Sequence, residues 1–546
     1  MQVPCNFNPY NHSPHHLLSL TTQGRHRLSL LIQAIALMIV LGWWLARGTL
    51  FSLDQRPDSV SGASQMLPCV SYSPFHARHG QGDINPFNPA ASVTAAQIEA
   101  DLRLLKTRTL CIRTYGLSQG LDAVPAVVQK LGMRMKLGVW LARDEVQNRI
   151  ELERGMALAR QYKDVVDLLV VGNEVLLRRE LSADALARVL AYARQHSPVP
   201  VTYADVWEFW LRHAALAKHV DVVTVHILPY WEDEPVAVHG AVNHVLDIAA
   251  KVQQAFAGQP LWVGETGWPA AGRQRAGAVP GKVEQSRFVS ELLARGGALN
   301  YNVIEAFDQP WKRSFEGAMG GYWGLFDATG QPRVALRGSV VEDARWWRGP
   351  LAALFGGVLG LMLAWQARAR ASPSVLAGAL LGALAPLQWL MLHQWDRSPG
   401  EQALSVLLAV IGLVATLVAL SPKHAKSERV TRIVVLFAAS TAALVLLLDA
   451  RYRPFPWWWW LAPATALLAL RVKAWGSEFK VSNESRLLSL VLAGCAVLIA
   501  FSEGWRNLQA LWYGALLCVL AGAAAWPSRT KTNSASSADG APSSVV

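Results

Sequence analysis

The chain has 546 residues, of which 52% are apolar and only 16% charged, with 51 Lys+Arg against 39 Asp+Glu. That length accommodates one large domain and a second region. A formal charge of +12 would suit a nucleic-acid partner, but residues 54–345 hold 31 basic and 31 acidic side chains, so the excess flanks apolar segments instead of forming a surface stripe, and nucleic-acid binding is excluded.

Residues 1–27 read as a cytoplasmic tail. His12, His15 and His16 lie there in an Asn- and Pro-rich stretch and read as a chance grouping, not a metal site. Residues 28–46 (LSLLIQAIALMIVLGWWLA) are long enough to span a bilayer. Arg25 and Arg27 precede them as in a signal peptide. However, the apolar run is too long and Leu45-Ala46-Arg47 is a poor cleavage site, so an uncleaved anchor is expected.

Between 66 and 345, short apolar runs alternate with amphipathic stretches. Strands are expected at 68–73, 109–115, 134–140, 165–171, 199–203, 221–227, 260–264 and 301–306. Helices are expected between them, for example at 94–107, 145–162, 183–196, 237–257 and 283–296. Ser182 is placed to cap one of them. Eight strands alternating with helices predict an α/β fold of the (β/α)8 TIM barrel type. The alternative, a doubly wound open sheet, would carry a glycine-rich turn after its first strand, and SYSPFH is not one. Cys69 and Cys111 begin neighbouring strands. They read as two buried small residues, although an oxidising compartment permits a disulfide.

Seven further apolar segments follow, at roughly 351–366, 373–393, 402–420, 433–448, 457–470, 487–502 and 508–526, and predict a helical transmembrane bundle over 351–526. With the N-terminus inside and the spans alternating, Arg25, Arg27, Arg368, Arg370, Lys423, Lys426, Arg429, Arg432 and Lys480 face the cytoplasm, as does the C-terminus. The 66–345 domain then lies outside, in the periplasm if the membrane is a bacterial inner membrane. Trp457 to Trp460 read as an interfacial aromatic belt. Asp449 and His393 lie only at span ends, which does not suit an ion-coupled pump. Residues 527–546 are a polar, low-complexity tail expected to be disordered.

Two runs deliver a glutamate to a strand end: VVDLLVVGNE ends at Glu174 on the fourth strand, and PLWVGE at Glu265 on the seventh. The C-terminal strand ends form the active-site face of such a barrel, and two carboxyls held there can cleave a glycosidic bond. Asn173 precedes Glu174 and is placed to reach a sugar 2-hydroxyl. Trp140, Trp207, Trp210, Tyr230, Trp231, Trp268, Trp311 and Trp323 lie at or after strand ends, and as a set suit a sugar cleft. Asp205 and His226 read as satisfied structural groups, and Asp233, between Glu232 and Glu234, as part of a solvated run. No metal set stands out, and glycosidic cleavage needs no cofactor.

The motifs VVGNEV (170–175), WVGETGWP (262–269), IRTYG (112–116), EAFDQPWK (305–312) and WGLFD (323–327) resemble those of glycoside hydrolase family 17, retaining β-1,3-glucanases and glucanosyltransferases on a (β/α)8 barrel. The resemblance covers roughly 66–336. It implies Glu174 as acid/base and Glu265 as nucleophile, with Arg113 holding Glu265 ionised. It also implies that Tyr115, Tyr72, Tyr230 and Trp311 line sugar subsites, and that Glu305 and Lys312 position substrate. The family pattern has a carboxylate where this chain has Gln309. The order of anchor, barrel and C-terminal spans resembles bacterial membrane proteins of the β-(1→6)-glucan synthase type. That implies glucan remodelling or branching beside a separate membrane glucan synthase, with β-glucan and the lipid bilayer as partners. No DxD with a downstream QxxRW appears, so polymerisation from a sugar nucleotide is not expected. The competing expectations are an endo-β-1,3-glucanase and a non-catalytic glucan-binding export or assembly component.

Overall fold

A computed structural model of the chain describes residues 21–54, 66–76, 85–421, 425–449, 452–475 and 481–525. The His12–His16 grouping, Cys5, Lys423, Lys480 and the 527–546 tail lie outside the described residues.

Eight strands close a barrel in chain order: β1 (Val70–Ser71), β2 (Cys111–Arg113), β3 (Arg134–Val139), β4 (Val166–Asn173), β5 (Val201–Val206), β6 (Val222–His226), β7 (Leu261–Thr266) and β8 (Tyr301–Val303). Each pair is parallel, and β1 meets β8 at Val70 and Val303. The open-sheet alternative is therefore ruled out. Burial on both faces explains why the strands read as continuous apolar runs. On β4, Leu169 and Val171 join the large core shared with the surrounding helices. Their neighbours Leu168 and Val170 pack with Ala204 and Trp262 in a small separate cluster, as expected for the barrel interior.

Local chemistry starts the helices between the strands. Thr94 and Gln97 form a reciprocal capping box at α2 (Ala95–Leu105). Asp144 caps α4 (Glu145–Gln161), and Ser182 caps α5 (Ala183–His196) as its sequence position indicated. The short α3 (Val124–Lys130) and α6 (Trp207–Arg212) precede α7 (Val238–Ala255) and α8 (Lys282–Arg295), and a one-turn α9 (Arg313–Glu316) follows β8. Cys69 and Cys111 are joined in a disulfide, with Cα atoms 4.5 Å apart, so the expectation of two buried thiols is corrected. Pairing of β1 with β2 brings the two together.

The bundle comprises α1 (Thr22–Arg47), α10 (Arg348–Gln366), α11 (Ala371–Leu390, continued by a π-turn to Trp395), α12 (Pro399–Leu420), α13 (Ala425–Leu448), α14 (Trp458–Lys473), α15 (Asn483–Glu503) and α16 (Leu508–Ala525). Among the described residues, seven helices are long and apolar enough to cross a membrane; α14, with 16 residues, is not one of them. At 1.5 Å per residue it reaches about 24 Å, short of a hydrocarbon core of about 30 Å. It sits inside the bundle against α1, α12 and α16. Trp457, Trp458 and Trp460 are accordingly buried, with Trp458 against Trp43 and Trp395, and Trp460 against Tyr513. The expected interfacial belt is therefore mostly internal packing. The pair α10 and α11 approaches closely through Gly356, Gly360, Gly378 and Gly382, where an added Cβ would fall about 2.1–2.2 Å from the facing helix backbone. A two-stranded antiparallel pair, Leu50–Ser52 with Ser339–Val341, ties the two chain crossings between barrel and bundle.

Candidate active site

The fourth strand ends in a sharp change of direction. Gly172 adopts φ +86°, where an added Cβ would meet Val175 Cγ2 at 2.8 Å, and Glu174 itself adopts φ +52°. Arg178 fixes this turn. Its Nε and Nη2 donate to the Asn173 carbonyl at 3.1 and 3.0 Å, its Nη2 also donates to the Leu141 carbonyl at 2.8 Å, and its guanidinium lies 4.1 Å from the Trp140 ring centroid.

Glu265, on β7, is held from three sides. Arg113, fully buried on β2, donates from Nη1 to the Gly264 carbonyl at 2.8 Å and to Glu265 Oε1 at 3.0 Å. Its Nη2 donates to Asn173 Oδ1, so one guanidinium ties the ends of β4 and β7 together. The Tyr115 hydroxyl lies 2.8 Å from Glu265 Oε1 and 2.8 Å from Ser71 Oγ. Burial alone would raise the Glu265 pKa. The His226 ring, the Arg113 guanidinium and the Tyr115 hydroxyl outweigh burial and hold it below the usual carboxylate range.

His226, at the end of β6, stands between the two glutamates. Its Nδ1 is 2.9 Å from Glu174 Oε1, and its Nε2 is 3.6 Å from Glu265 Oε1 and 3.3 Å from Arg113 Nη1. A guanidinium only donates, so in the neutral ring Nε2 accepts and Nδ1–H donates to Glu174. One ligand-type atom from each of Glu174, His226 and Glu265 lies within 4.8 Å of the others. The donor set does not suit a cation, because the Arg113 guanidinium already occupies the cluster and takes Glu265 Oε1. The same bound holds for the closest approach of the two carboxylates through one oxygen each.

Beyond β8, Lys312 Nζ donates to both oxygens of buried Glu305, at 3.0 and 2.9 Å. Burial would lower the Lys312 pKa, but Glu305 and then Glu316 raise it, so the ammonium persists. Glu316 is lifted by burial to about 7, with Lys312 pulling the other way. Gln309 is fully buried. It accepts from Trp311 Nε1 at 2.9 Å and donates to the Ser73 and Phe307 carbonyls at 3.0 and 3.2 Å, so it fastens the loop where the family has a carboxylate.

A cleft of about 430 Å³ opens over Glu174, His226, Glu265 and Lys312, with Trp207, Trp231, Trp323, Phe315 and Tyr452 among its walls. Glu232 and Asp233 also line it, so the acidic run is not merely solvated. Other expected sugar contacts lie elsewhere. Tyr72 is buried with its hydroxyl on Asp101 Oδ2 at 3.0 Å. Tyr230 is buried with its hydroxyl on the Arg273 carbonyl at 2.6 Å, and Trp268 Nε1 donates to the Val279 carbonyl at 3.0 Å. Trp210 donates to the Thr224 carbonyl at 2.6 Å. These rings pack beneath the loops and do not face the cleft. Trp311 is half-buried against Phe87, outside the cleft wall. Asp205, close to the Tyr203 hydroxyl, is structural as expected, and burial lifts its pKa to about 6.

The BtgE/BtgC glycoside hydrolase domain matches residues 69–324. A glucan 1,3-beta-glucosidase of Schizosaccharomyces pombe is 31% identical over 232 residues, which cover 39% of this chain and 72% of the relative. The chain belongs to the BtgE/BtgC glycoside hydrolase family. A second family relative, a glucan 1,3-beta-glucosidase of Candida albicans, is 27% identical over 256 residues, 42% of this chain and 82% of the relative. The crystal structure of a glycoside hydrolase family 17 β-1,3-glucanosyltransferase from Rhizomucor miehei is 23% identical, covers 50% of this chain and 98% of its own, and gives a TM-score of 0.42. On the family match and the curated relatives, the resemblance read from the motifs holds at the level of a glycoside hydrolase family with 1,3-beta-glucan-active relatives. Within this BtgE/BtgC-type domain, sequence reading undervalued His226 and did not single out Arg178 or Glu316; outside it, Tyr452 was likewise not singled out. For His226 the signal was present, a ring closing the apolar run VVTVH in register with Glu265.

Proposed function

We propose that the protein is a membrane-bound, retaining β-1,3-glucan-active enzyme that passes a captured glycosyl unit to another sugar hydroxyl. The observation that carries this reading is the approach of a Glu174 oxygen to within 4.8 Å of a Glu265 oxygen. Retaining glycosidases hold their carboxyls about 5–5.5 Å apart, whereas inverting ones leave room for a water at about 6.5–9.5 Å. In the first step Glu265 attacks the anomeric carbon, the glycosidic C–O bond breaks, and Glu174 gives its proton to the leaving oxygen. In the second, Glu174 takes the proton of an acceptor hydroxyl, whose oxygen displaces Glu265 and restores the free carboxylate. His226, within reach of both carboxylates, and Arg113, spanning β2, β4 and β7, keep the pair in register.

Transfer is favoured over hydrolysis by the aromatic walls of the cleft, which offer a second sugar a stacking platform and leave less room for water. The apolar helices support a membrane location, and the basic residues of the 368–370 loop and of the first turns of α13, Lys426, Arg429 and Arg432, support a cytoplasmic N-terminus and a periplasmic barrel in a bacterium. Remodelling or branching beside a separate synthase is the role this arrangement suits. The test is mass spectrometry of reduced laminari-oligosaccharides incubated with the purified protein. Products longer than the substrate are expected, and their loss in Glu174→Gln and Glu265→Gln. Only shorter products would make the enzyme an endo-β-1,3-glucanase, and variants as active as the wild type would leave a glucan-binding assembly component. A reporter fused after Pro399 should report periplasm and one after Lys426 cytoplasm; the reverse would overturn the orientation.

A further inference from the structure

Loops of the membrane bundle dock on the catalytic face of the barrel. Arg313 Nη1 donates to the His393 and Gln394 carbonyls at 3.1 and 3.3 Å, and the Tyr322 hydroxyl donates to the Gln394 carbonyl at 2.9 Å. Gln274 N donates to Gln509 Oε1 at 3.1 Å, its Nε2 donates to the Arg506 carbonyl at 2.8 Å, and Asn507 Nδ2 donates to the Gln274 carbonyl at 3.0 Å. Arg273 and Glu503 form an ion pair with both side chains buried. Every barrel partner here follows β7 or β8, so the attachment surrounds the end of the strand that carries Glu265.

Tyr452, between α13 and α14, goes further and reaches the cleft. Gly317, at φ +81°, faces it so closely that an added Cβ would fall 2.2 Å from the Tyr452 carbonyl oxygen. Tyr452 then lines the same cleft as Glu174 and Glu265. Charges pin the residues around it: Arg453 Nε donates to Asp449 Oδ2 at 2.7 Å, and Arg397 Nη2 donates to Asp449 Oδ2 at 3.1 Å and to Glu401 Oε1 at 2.7 Å. A half-buried tyrosine in the wall of the cleft that holds the carboxylate pair, flanked by the charged anchors Asp449 and Arg453, is of a type that stacks on the apolar face of a pyranose.

We propose that Tyr452, a residue of the membrane segment, is a specificity-determining sugar contact of the barrel's cleft, so that a β-glucan chain is gripped between barrel and bundle. This rests on the glycosidase reading above. The bundle thereby contributes a subsite in addition to an anchor, and the enzyme favours chains long enough to reach it. The experiment uses the full-length protein with short and long reduced laminari-oligosaccharides and compares kcat/KM for wild type, Tyr452→Ala and Tyr452→Trp. The long-over-short ratio should fall about tenfold in Tyr452→Ala, the change expected for a lost aromatic contact, and should be retained in Tyr452→Trp. A ratio unchanged in Tyr452→Ala would overturn this inference alone. So would a loss equal at all lengths that Trp does not restore, since that marks a structural role. A wild-type protein inert on every substrate would instead sink the proposed function and this inference with it.

Discussion

Arg113 is the side chain on which the geometry of both glutamates converges. It is fully buried, and its guanidinium reaches four partners: Gly264 O, Glu265 Oε1, Asn173 Oδ1 and His226 Nε2. Lysine at this position would keep the charge but lose the planar fork. Losing buried hydrogen bonds to a charged group costs about 1.5–3 kcal/mol each, so Arg113→Lys should lower kcat/KM by about tenfold to a hundredfold. The sign of the pH effect follows from Glu265, whose pKa is held low and whose ionised form is lost as pH falls through it. Weakening the contact raises that pKa, so the acid limb of the kcat/KM profile should move to higher pH. A limb that stays in place would show that Arg113 does not set the ionisation. The glutamates themselves were legible because each closes an apolar run within two residues of a glycine, Gly172 and Gly264. His226 was not, because its meaning depends on β4 and β7 reaching it from distant parts of the chain. Tyr72 and Tyr230 misled for the same reason: their hydroxyl partners, Asp101 and the Arg273 carbonyl, cannot be read from local sequence.

The elements were more legible than the side chains. Short continuous apolar runs mark the barrel strands, period-3.6 patterns mark the helices between them, and polar caps such as Ser182 fix where helices start. What local pattern does not carry is pairing between elements. The neighbouring starts of β1 and β2 left Cys69 and Cys111 ambiguous, and only their approach across the sheet decides for a disulfide. The bridge closes a loop across 42 residues of separation, and such a bond contributes about 2–4 kcal/mol. The full-length Cys69→Ser/Cys111→Ser variant should therefore melt several degrees lower than the oxidised wild type, and reductant should lower the wild type toward it. Equal melting temperatures would mean the bridge adds no stability. The Trp457–Trp460 run shows the opposite limit: it looks interfacial as a string, yet α14 is surrounded by other helices and the rings are mostly buried.

In the whole molecule, barrel and bundle are joined at the catalytic face. The buried Arg273–Glu503 pair is central to that junction. Removing one partner of a buried ion pair strands the other and costs about 3–5 kcal/mol. Arg273→Ala should thus lower the melting temperature of the full chain and speed proteolysis at the junction, whereas a paired apolar replacement, Arg273→Met with Glu503→Leu, should be milder. Equal effects of the single and double changes would argue against a stranded charge. The junction was invisible in the sequence because no residue in it carries a motif. The central claim is that Glu265 captures the sugar covalently. Incubation with a 2-deoxy-2-fluoro laminari-oligosaccharide bearing a good leaving group, followed by peptide mass spectrometry, tests it directly. The account predicts a glycosyl adduct on Glu265, in the peptide that carries WVGETGWP, slow to form in Arg113→Lys. A label on Glu174 or elsewhere, or turnover of an unmodified substrate with inversion at the anomeric carbon, would contradict it.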